Sequence, residues 1–584
     1  MGARHGLPAR WDRARARNGM VKGPIRPFSH RIGREPVAQH DPMKPSHKTP
    51  LFAGLTVFAA FFLGRLHTVF LDRFTALRTL GSDNVWWWTI QRKLALHEGR
   101  LPDDLQARLS FRLKSDVLFQ KAAIASSRIA HLDLYVTNLI LTGAIFCGAA
   151  VAIFLFAQSV LRNHLLAFIL ALAILQSQYG HFLAYIVVTP KLFGFLFFPL
   201  MLCLFVNYLR SWRISLPLFA LLTALSCAAY LVTAIYTLPA VLCAAVMVVV
   251  LAEGRIDLGS SKLRSAAALC LSALVIMAIV FVVIAPHYSQ DGIPERERTQ
   301  IAYADYYFHA IAFYVYEHMI LFGAVIGSLF LMRTRLSIDT EVGRIYLFLL
   351  IVYLSLLAES SASLALFDHS SQLRGLWLWR ASNYAYVPAL ALIFLTLMEA
   401  PIFSRRKWGE RSRIAAAIVL AAAFAIMAPS RDGNAIGAMS YAMSGSQRDA
   451  ERNRALRELV AFSRTLPAES VILMPPLERQ GAATDLFEAE SDVSVALSRA
   501  DRIHALKQTR YTDPYLDDVL AYRRIDAFES TASWAAAFAD FARARGASHA
   551  LFAAADWNRR KDGGFAVIFA NDGWVLVAFD APGG

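Results

Sequence analysis

Between Leu51 and Ala428 the sequence returns repeatedly to apolar runs of about 17 to 25 residues, joined by short polar connections. A helix rises ~1.5 Å per residue, so each run matches the ~30 Å hydrocarbon core of a bilayer. A backbone crossing that core must satisfy its hydrogen bonds internally, which leaves helices or a closed barrel. The runs do not alternate polar and apolar residues, so a porin-like barrel is excluded. Charged residues make up 18% of the chain, against roughly 25% in soluble domains. A cytosolic enzyme and a disordered protein are excluded with it. The five cysteines, Cys147, Cys203, Cys227, Cys243 and Cys270, all lie inside apolar runs, which argues against a disulfide framework or a cysteine zinc site.

The runs are 51–71, 134–158, 163–179, 192–209, 215–231, 235–252, 265–285, 311–331, 345–366, 383–400 and 413–428. This predicts a polytopic α-helical membrane protein with about eleven transmembrane helices. The stretch 215–252 is divided in two because Pro239 and the polar patch Thr233–Thr237 interrupt it. Residues 1–49 hold eleven Lys/Arg against three acids and read as a disordered basic tail that stays cytoplasmic beside anionic lipid. With that orientation the short inner loops carry fourteen basic residues and the short outer loops five, the asymmetry that retains loops on the cytoplasmic side. The formal net charge of +15 is therefore a topology signal, not a sign of nucleic-acid binding. Eleven crossings place the C-terminus outside, in a bacterial-type inner membrane with a periplasmic tail.

Two outer segments are large. Residues 430–584 read as an α/β domain, separate from the 50–429 membrane domain. Arg452–Arg464 and Ser533–Arg545 have helical spacing. Val471–Met474 and His549–Ala553 are short strands, and Phe565–Phe569 and Trp574–Phe579 flank the turn Asn571-Asp572-Gly573 as a hairpin. The tail has no glycine-rich phosphate loop, no serine nucleophile elbow and no HExxH. In the other outer segment, 72–133, Trp87, Ile90 and Leu94 form a helical stripe opposite Arg92 and Lys93. Leu109, Leu113, Val117 and Ile124 form a second stripe against Arg108, Arg112, Lys114 and Lys121. Both read as interfacial helices, with Trp86, Trp87 and Trp88 at headgroup depth and the basic side chains facing water and phosphates.

Asp83, in Ser82-Asp83-Asn84, precedes the first of these helices at its N-cap position. It reads either as a cap or as a carboxylate held at headgroup height to activate an acceptor hydroxyl or bind a metal. A long first outer loop with two surface helices, an acid soon after the first transmembrane helix and an outer α/β domain after the last together resemble the GT-C superfamily of integral-membrane glycosyltransferases. The layout is similar to that of its oligosaccharyltransferase and protein-mannosyltransferase members. The resemblance implies a polyprenyl-phosphate-linked sugar donor used at the outer face. It also implies that Asp83 is the catalytic base, or the ligand of a divalent cation such as Mg or Mn. The chain departs from the family at three points. Asn84 is not a second acid, the outer end of the third helix reads Gln178-Tyr179-Gly180-His181, and the tail lacks a WWDYG-like motif.

Ionisable groups within membrane segments are expensive and mark function by default. Here they gather toward the outer leaflet: Arg65 and His67, Lys191, Glu317 and His318, Glu359, then Asp368, Arg374 and Arg380. Arg380 is the leading candidate for the lipid phosphate, helped by Lys191 or Arg374, because a guanidinium binds phosphate oxygens in a fork. The alternative for all three is a cation snorkelling at a helix end. Glu359, Arg65 and His181 are supporting candidates, Glu359 as an ion-pair partner of Arg65 or Arg380. His287, His309 and His318 lack metal-site spacing, and the loop 286–310 is a candidate lid. A transporter needs a site near the midplane, so the one-sided distribution favours an enzyme on an outer-leaflet lipid. The expected activity is inverting glycosyl transfer to a glycan, lipid or protein acceptor. A lipid-linked glycan transporter, a non-catalytic component of an envelope polysaccharide export complex, and an envelope polysaccharide polymerase or ligase remain alternatives.

Overall fold

The computed structural model describes residues 48–64, 73–79, 82–96, 114–177, 179, 183, 186–254, 259–284, 318–365, 378–400, 409–427, 446–475, 482–497, 509–528, 530–560 and 563–579. Arg65, His181 and Arg374 lie outside these residues, as do the tail 1–47 and the loop 286–310. The membrane part comprises α1 (Lys48–Gly64), α5 (Leu134–Leu161), α6 (His164–Gln176), α7 (Pro190–Ser211), α8 (Leu216–Glu253), α9 (Ser261–Ile284), α10 (His318–Met332), α11 (Glu341–Ala365), α12 (Ser382–Glu399) and α13 (Glu410–Met427). Between α1 and α5 lie α2 (Arg73–Thr79), α3 (Ser82–Leu96) and α4 (Lys114–Ala130). Five of the described helices are long and apolar enough to cross a membrane: α5, α7, α8, α9 and α11. Large apolar side chains such as Phe58, Phe62, Val282, Val283 and Phe330 face outward, as a helix surface solvated by lipid should.

The bundle has two chemically distinct ends. At one, α5 and α7 close with Arg162 and Trp212 in the left-handed region (φ 52 and 55), where an L-residue sits at a cost of about 1–2 kcal/mol. The side chains so placed are used at once. Glu341, at the start of α11, pairs with Arg162 at 3.0 Å and Arg210 at 3.1 Å. Trp212 is flanked by Lys262 Nζ at 4.6 Å and the Arg344 guanidinium at 5.1 Å from its ring. Lys262 in turn binds Glu253 at 2.8 Å. Four connections therefore meet at this basic end.

These contacts show that α8 doubles back. A straight helix of its 38 residues would separate its ends by about 57 Å. Yet Leu216 follows Trp212 by four residues, and Glu253 reaches Trp212 through Lys262. The chain turns at Tyr230, whose backbone is extended (φ −154, ψ 89), so the division expected of 215–252 is real but lies before the Thr233–Thr237 patch. Beyond the turn, Thr233 lies against Gly194 of α7. A Cβ there would sit 2.6 Å from Thr233 Oγ1, so this close approach requires glycine.

At the opposite end sits the C-terminal domain: α14 (Ser446–Ser463), β1 (Val471–Leu473), α15 (Ala482–Glu490), β2 (Ser494–Ala496), α16 (Thr509–Asp526), α17 (Thr531–Arg543), β3 (His549–Ala553), β4 (Ala566–Ala570) and β5 (Trp574–Ala578). The sheet order is β2-β1-β3-β5-β4. β2, β1 and β3 are parallel, while β5 is antiparallel to both β3 and β4. In the β4–β5 turn, Asn571 Oδ1 accepts from Gly573 N and Trp574 N at 3.0 and 2.9 Å. One side of the sheet buries Trp534, Phe538, Phe541 and Phe552. On its other side the core is shared with the first outer loop, as Trp87, Trp88, Ile90 and Leu94 pack with Leu459, Phe487, Val493 and Leu576.

This corrects the interfacial reading of α3. Trp87 and Trp88 are 3% and 2% exposed, and the basic side chains of the helix face protein. Trp88 Nε1 donates to Glu490 Oε1 at 2.7 Å, and Arg73 donates to Oε2 at 3.0 Å. Arg92 binds Asp492 at 2.7 Å and lies 3.5 Å from Glu490. Lys93 Nζ donates to the carbonyls of Ser491 and Val493, each at 2.8 Å. Burial pulls the Arg92 pKa below its ordinary value, with Glu490 and Asp492 acting against that shift. The second interfacial helix is α4, from Lys114. Its Ile124 joins the same shared core, and Lys121 is exposed.

Two outcomes follow. Glu490 is fully buried, so Glu490→Ala strands three arginines and Trp88 and should cost about 3 kcal/mol. It should lower the unfolding midpoint and make the C-terminal domain releasable by limited proteolysis; an unchanged midpoint and cleavage pattern would contradict the clamp. Gly194→Ala should destabilise by about 1–3 kcal/mol through overpacking against Thr233, read as a lower melting temperature in detergent.

Candidate functional site

At the domain end, two helices start side by side without side-chain caps. α7 begins after Thr189 with Pro190 in its first turn, and α12 begins after the short 3-10 helix Leu378–Ala381. Neither N-cap residue offers a side-chain cap bond. Leu192 N of α7 donates to the Thr189 carbonyl at 3.2 Å, α12 continues directly from the 3-10 turn, and each start carries the positive end of a helix dipole. Phe195 of α7 and Tyr384 of α12 stack with centroids 4.7 Å apart and planes at 13°. Lys191 stands one turn before Phe195, and Arg380 one turn before Tyr384. The stack thus brings Lys191 and Arg380 to neighbouring helix starts, where both are half-buried.

The floor beneath them is aromatic and rigid. Tyr179 meets Phe195 at 4.9 Å and Tyr384 at 6.0 Å, both edge-on, and its hydroxyl donates to the Phe195 carbonyl. Tyr384 OH and Thr233 Oγ1 share a hydrogen bond of 2.9 Å, so the α8 fold-back braces the same point. Sequence reading missed Gly194, Thr233 and Tyr384. The one visible signal was a glycine between two phenylalanines inside an apolar run, which marks a close helix approach.

Asp83 is the second residue of α3, inside its first turn and not before it; its side chain lies outside the described residues. The position of its helix is well determined. Besides the Glu490 clamp, Gln91 exchanges hydrogen bonds with Asn138 of α5, donating at 3.2 Å and accepting at 2.6 Å. Asn138 Oδ1 also accepts from Val188 N at 2.9 Å, and Gln120 of α4 donates to the Val188 carbonyl at 3.1 Å. The segment leading into α7, and hence Lys191, is tied through Asn138 to the helix that carries Asp83.

Glu359 lies in the last two turns of α11, the helix on which the Arg380 turn rests. Its Oε2 is buried without a hydrogen-bond partner among the described residues, and Arg65, one of the two ion-pair partners expected for it, lies outside them. No group of three or more His, Cys, Asp or Glu that could hold a metal occurs among the described residues.

No protein-family model and no curated protein matches the chain. Solved structures do. The Archaeoglobus fulgidus oligosaccharyltransferase tethered to an acceptor peptide containing the NVT sequon is 11% identical, with TM-score 0.49 over 92% of this chain and 74% of that one. ArnT from Cupriavidus metallidurans bound to undecaprenyl phosphate is 12% identical, with TM-score 0.47 over 91% of this chain and 98% of that one. The arabinofuranosyltransferase AftD from Mycobacteria is 13% identical, with TM-score 0.42 over 91% of this chain and 40% of that one. Each of these matches spans 91–92% of the chain.

Proposed function

We propose that the protein is a membrane glycosyltransferase of the GT-C type, moving a sugar from a polyprenyl-phosphate donor to a glycan, lipid or protein acceptor. The observation that carries the reading is the Phe195–Tyr384 stack, which sets side by side the two helix starts that carry Lys191 and Arg380. Two cations and two helix dipoles on neighbouring helix starts suit a phosphate. The apolar helices below suit a polyprenyl tail. Arg374 would assist from the segment before the 3-10 helix, with Arg65, His181 and Glu359 as supporting groups. In this reading the chain crosses a bacterial inner membrane eleven times, with the basic end in the cytoplasm and the C-terminal domain in the periplasm.

The chemistry is an inverting displacement at the anomeric carbon. The acceptor oxygen attacks from the face opposite the phosphate, and its proton passes to the Asp83 carboxylate. The anomeric carbon–oxygen bond breaks and its electron pair leaves with the phosphate oxygen. Arg380 and Lys191 stabilise the charge that grows there. Asp83 is also the residue that would hold a Mg or Mn ion, whose role would be to polarise the departing phosphate. The Glu490 clamp and the Gln91–Asn138 pair hold the Asp83 helix at this end of the bundle.

The test is product formation by membrane-inserted variants. Asp83→Asn should lower turnover by about 10²-fold or more with donor binding intact. Arg380→Ala should weaken binding of the polyprenyl phosphate by about 10- to 100-fold, the worth of a hydrogen bond to a charged group. Full glycan product formation by both variants would refute the assignment.

A further inference from the structure

Residues 186–189, which lead into α7, belong to no helix or strand, so their backbone groups need partners outside regular structure. At Val188 both partners are side chains. Its N–H donates to Asn138 Oδ1 at 2.9 Å, and its carbonyl accepts from Gln120 Nε2 at 3.1 Å. Asn138 and Gln120 are fully buried. Lys191 follows three residues after Val188, with Pro190 between them, whose ring fixes the backbone there. On the far side of Lys191, Phe193 meets Phe119 of α4 at 4.7 Å between ring centres. Two neighbouring residues of α4, Phe119 and Gln120, therefore hold the chain on both sides of the lysine.

Asn138 carries the hold further, because its amide makes all four hydrogen bonds open to it. Nδ2 donates to Gln91 Oε1 at 2.6 Å and to the Leu134 carbonyl at 2.9 Å. Oδ1 accepts from Gln91 Nε2 at 3.2 Å and from Val188 N. Gln91, also fully buried, stands about 12 Å along α3 from Asp83. An unbroken line of contacts thus runs from the helix of the proposed base to the backbone beside the proposed phosphate ligand. Cohesion alone does not call for it. Replacing paired buried polar groups by apolar ones of the same shape is often neutral or stabilising, whereas a saturated amide network fixes one arrangement.

We propose that Gln91, Asn138 and Gln120 are positioning residues of the transfer reaction, an assignment that rests on the function proposed above. Gln120 acts through Lys191, whose segment it holds. Gln91 acts through Asp83 by fixing the height of α3, and Asn138 keeps the two in register. The displacement itself demands this. The acceptor oxygen must lose its proton on one side of the anomeric carbon while the phosphate leaves on the other, and a misplacement of ~1 Å can cost about 10²-fold in rate.

The experiment is a pair of double-variant cycles on the full-length protein in nanodiscs. Undecaprenyl phosphate is the binding probe, and glycan product formation reads turnover. Gln120→Leu should weaken binding of the probe about tenfold, the worth of about one hydrogen bond to a charged group. On a Lys191→Met background it should have no further effect, because the lysine it places is gone. Gln91→Leu should leave the probe affinity unchanged, since Asn138 keeps its bonds to Leu134 and Val188. It should lower product formation about tenfold, with no further loss on an Asp83→Asn background. Asn138→Leu should show both losses; the two glutamine variants decide the matter even where it does not fold. A merely structural role predicts a lower melting temperature, with equal further losses whether or not Lys191 or Asp83 is present. That result would overturn the proposal, as would wild-type binding and turnover in both glutamine variants. A wild-type protein that neither binds undecaprenyl phosphate nor forms product would instead sink the function proposed above, and this assignment with it.

Discussion

A carboxylate with no solvent access holds the domain end of this molecule together. Glu490 closes α15, and it is met there by the Trp88 indole, by Arg73 and Arg92, and at 3.7 Å by Arg464. Burying that charge is expensive and is tolerated because every acceptor direction is filled. The arrangement is directional in a way that apolar packing is not. The indole donor, the two guanidiniums of the outer loop and the Lys93 bonds to Ser491 and Val493 admit one rotation of α3 against the C-terminal domain. The first turn of α3, where Asp83 lies, is thereby set relative to α5 through Gln91 and Asn138. The C-terminal domain is thus part of the scaffold of the site.

The membrane part was legible because its signals are long and redundant. Apolar runs fix where helices can form, and basic loops mark which ends gather. The ion pairs of Glu341 with Arg162 and Arg210 join three of the loops that the charge count placed on one side. The break in α8 was legible in kind. Polar residues in an apolar stretch signalled an interruption, but Tyr230, which turns the chain, looks like an ordinary aromatic in a helix. The hairpin at Asn571-Asp572-Gly573 was legible because its side chain and glycine do local work. Strand β2, three residues long, and helices α15 and α16 escaped because their form depends on the sheet and loop they cover.

The misreading of α3 has a definite cause. A helix with tryptophans on one side and Arg and Lys on the other suits two environments equally. A membrane surface and a protein interface both bury the apolar body of an indole and offer its N–H a partner. Trp88 finds a carboxylate 402 residues away, and separation on that scale leaves no trace in local periodicity. The same limit hid Thr233, Tyr384 and Gly194, whose roles arise only when α7, α8 and α12 converge. Lys191 and Arg380 could be singled out by type and depth, but the adjacency of their helix starts could not, since it depends on a ring stack between residues 189 positions apart.

The two ends also differ in how their polar groups are satisfied. At the basic end Glu341 and Glu253 are paired, and Arg344 donates to the Leu209 carbonyl at 3.1 Å. Those contacts fasten connections, although Gln158 Oε1 in the last turn of α5 is also buried without a hydrogen-bond partner among the described residues. At the domain end the hub around Glu490 is equally complete, yet among the described residues His318, Glu359, Asn383 and the N-cap Thr189 hold buried polar atoms without hydrogen-bond partners. A fold that pairs its charges so fully at 490 does not leave acceptors bare nearby for lack of donors. Rigid, saturated contacts on one side and unsaturated ones on the other are what a preorganised site requires: the first fix geometry before a ligand arrives, and the second make its binding favourable.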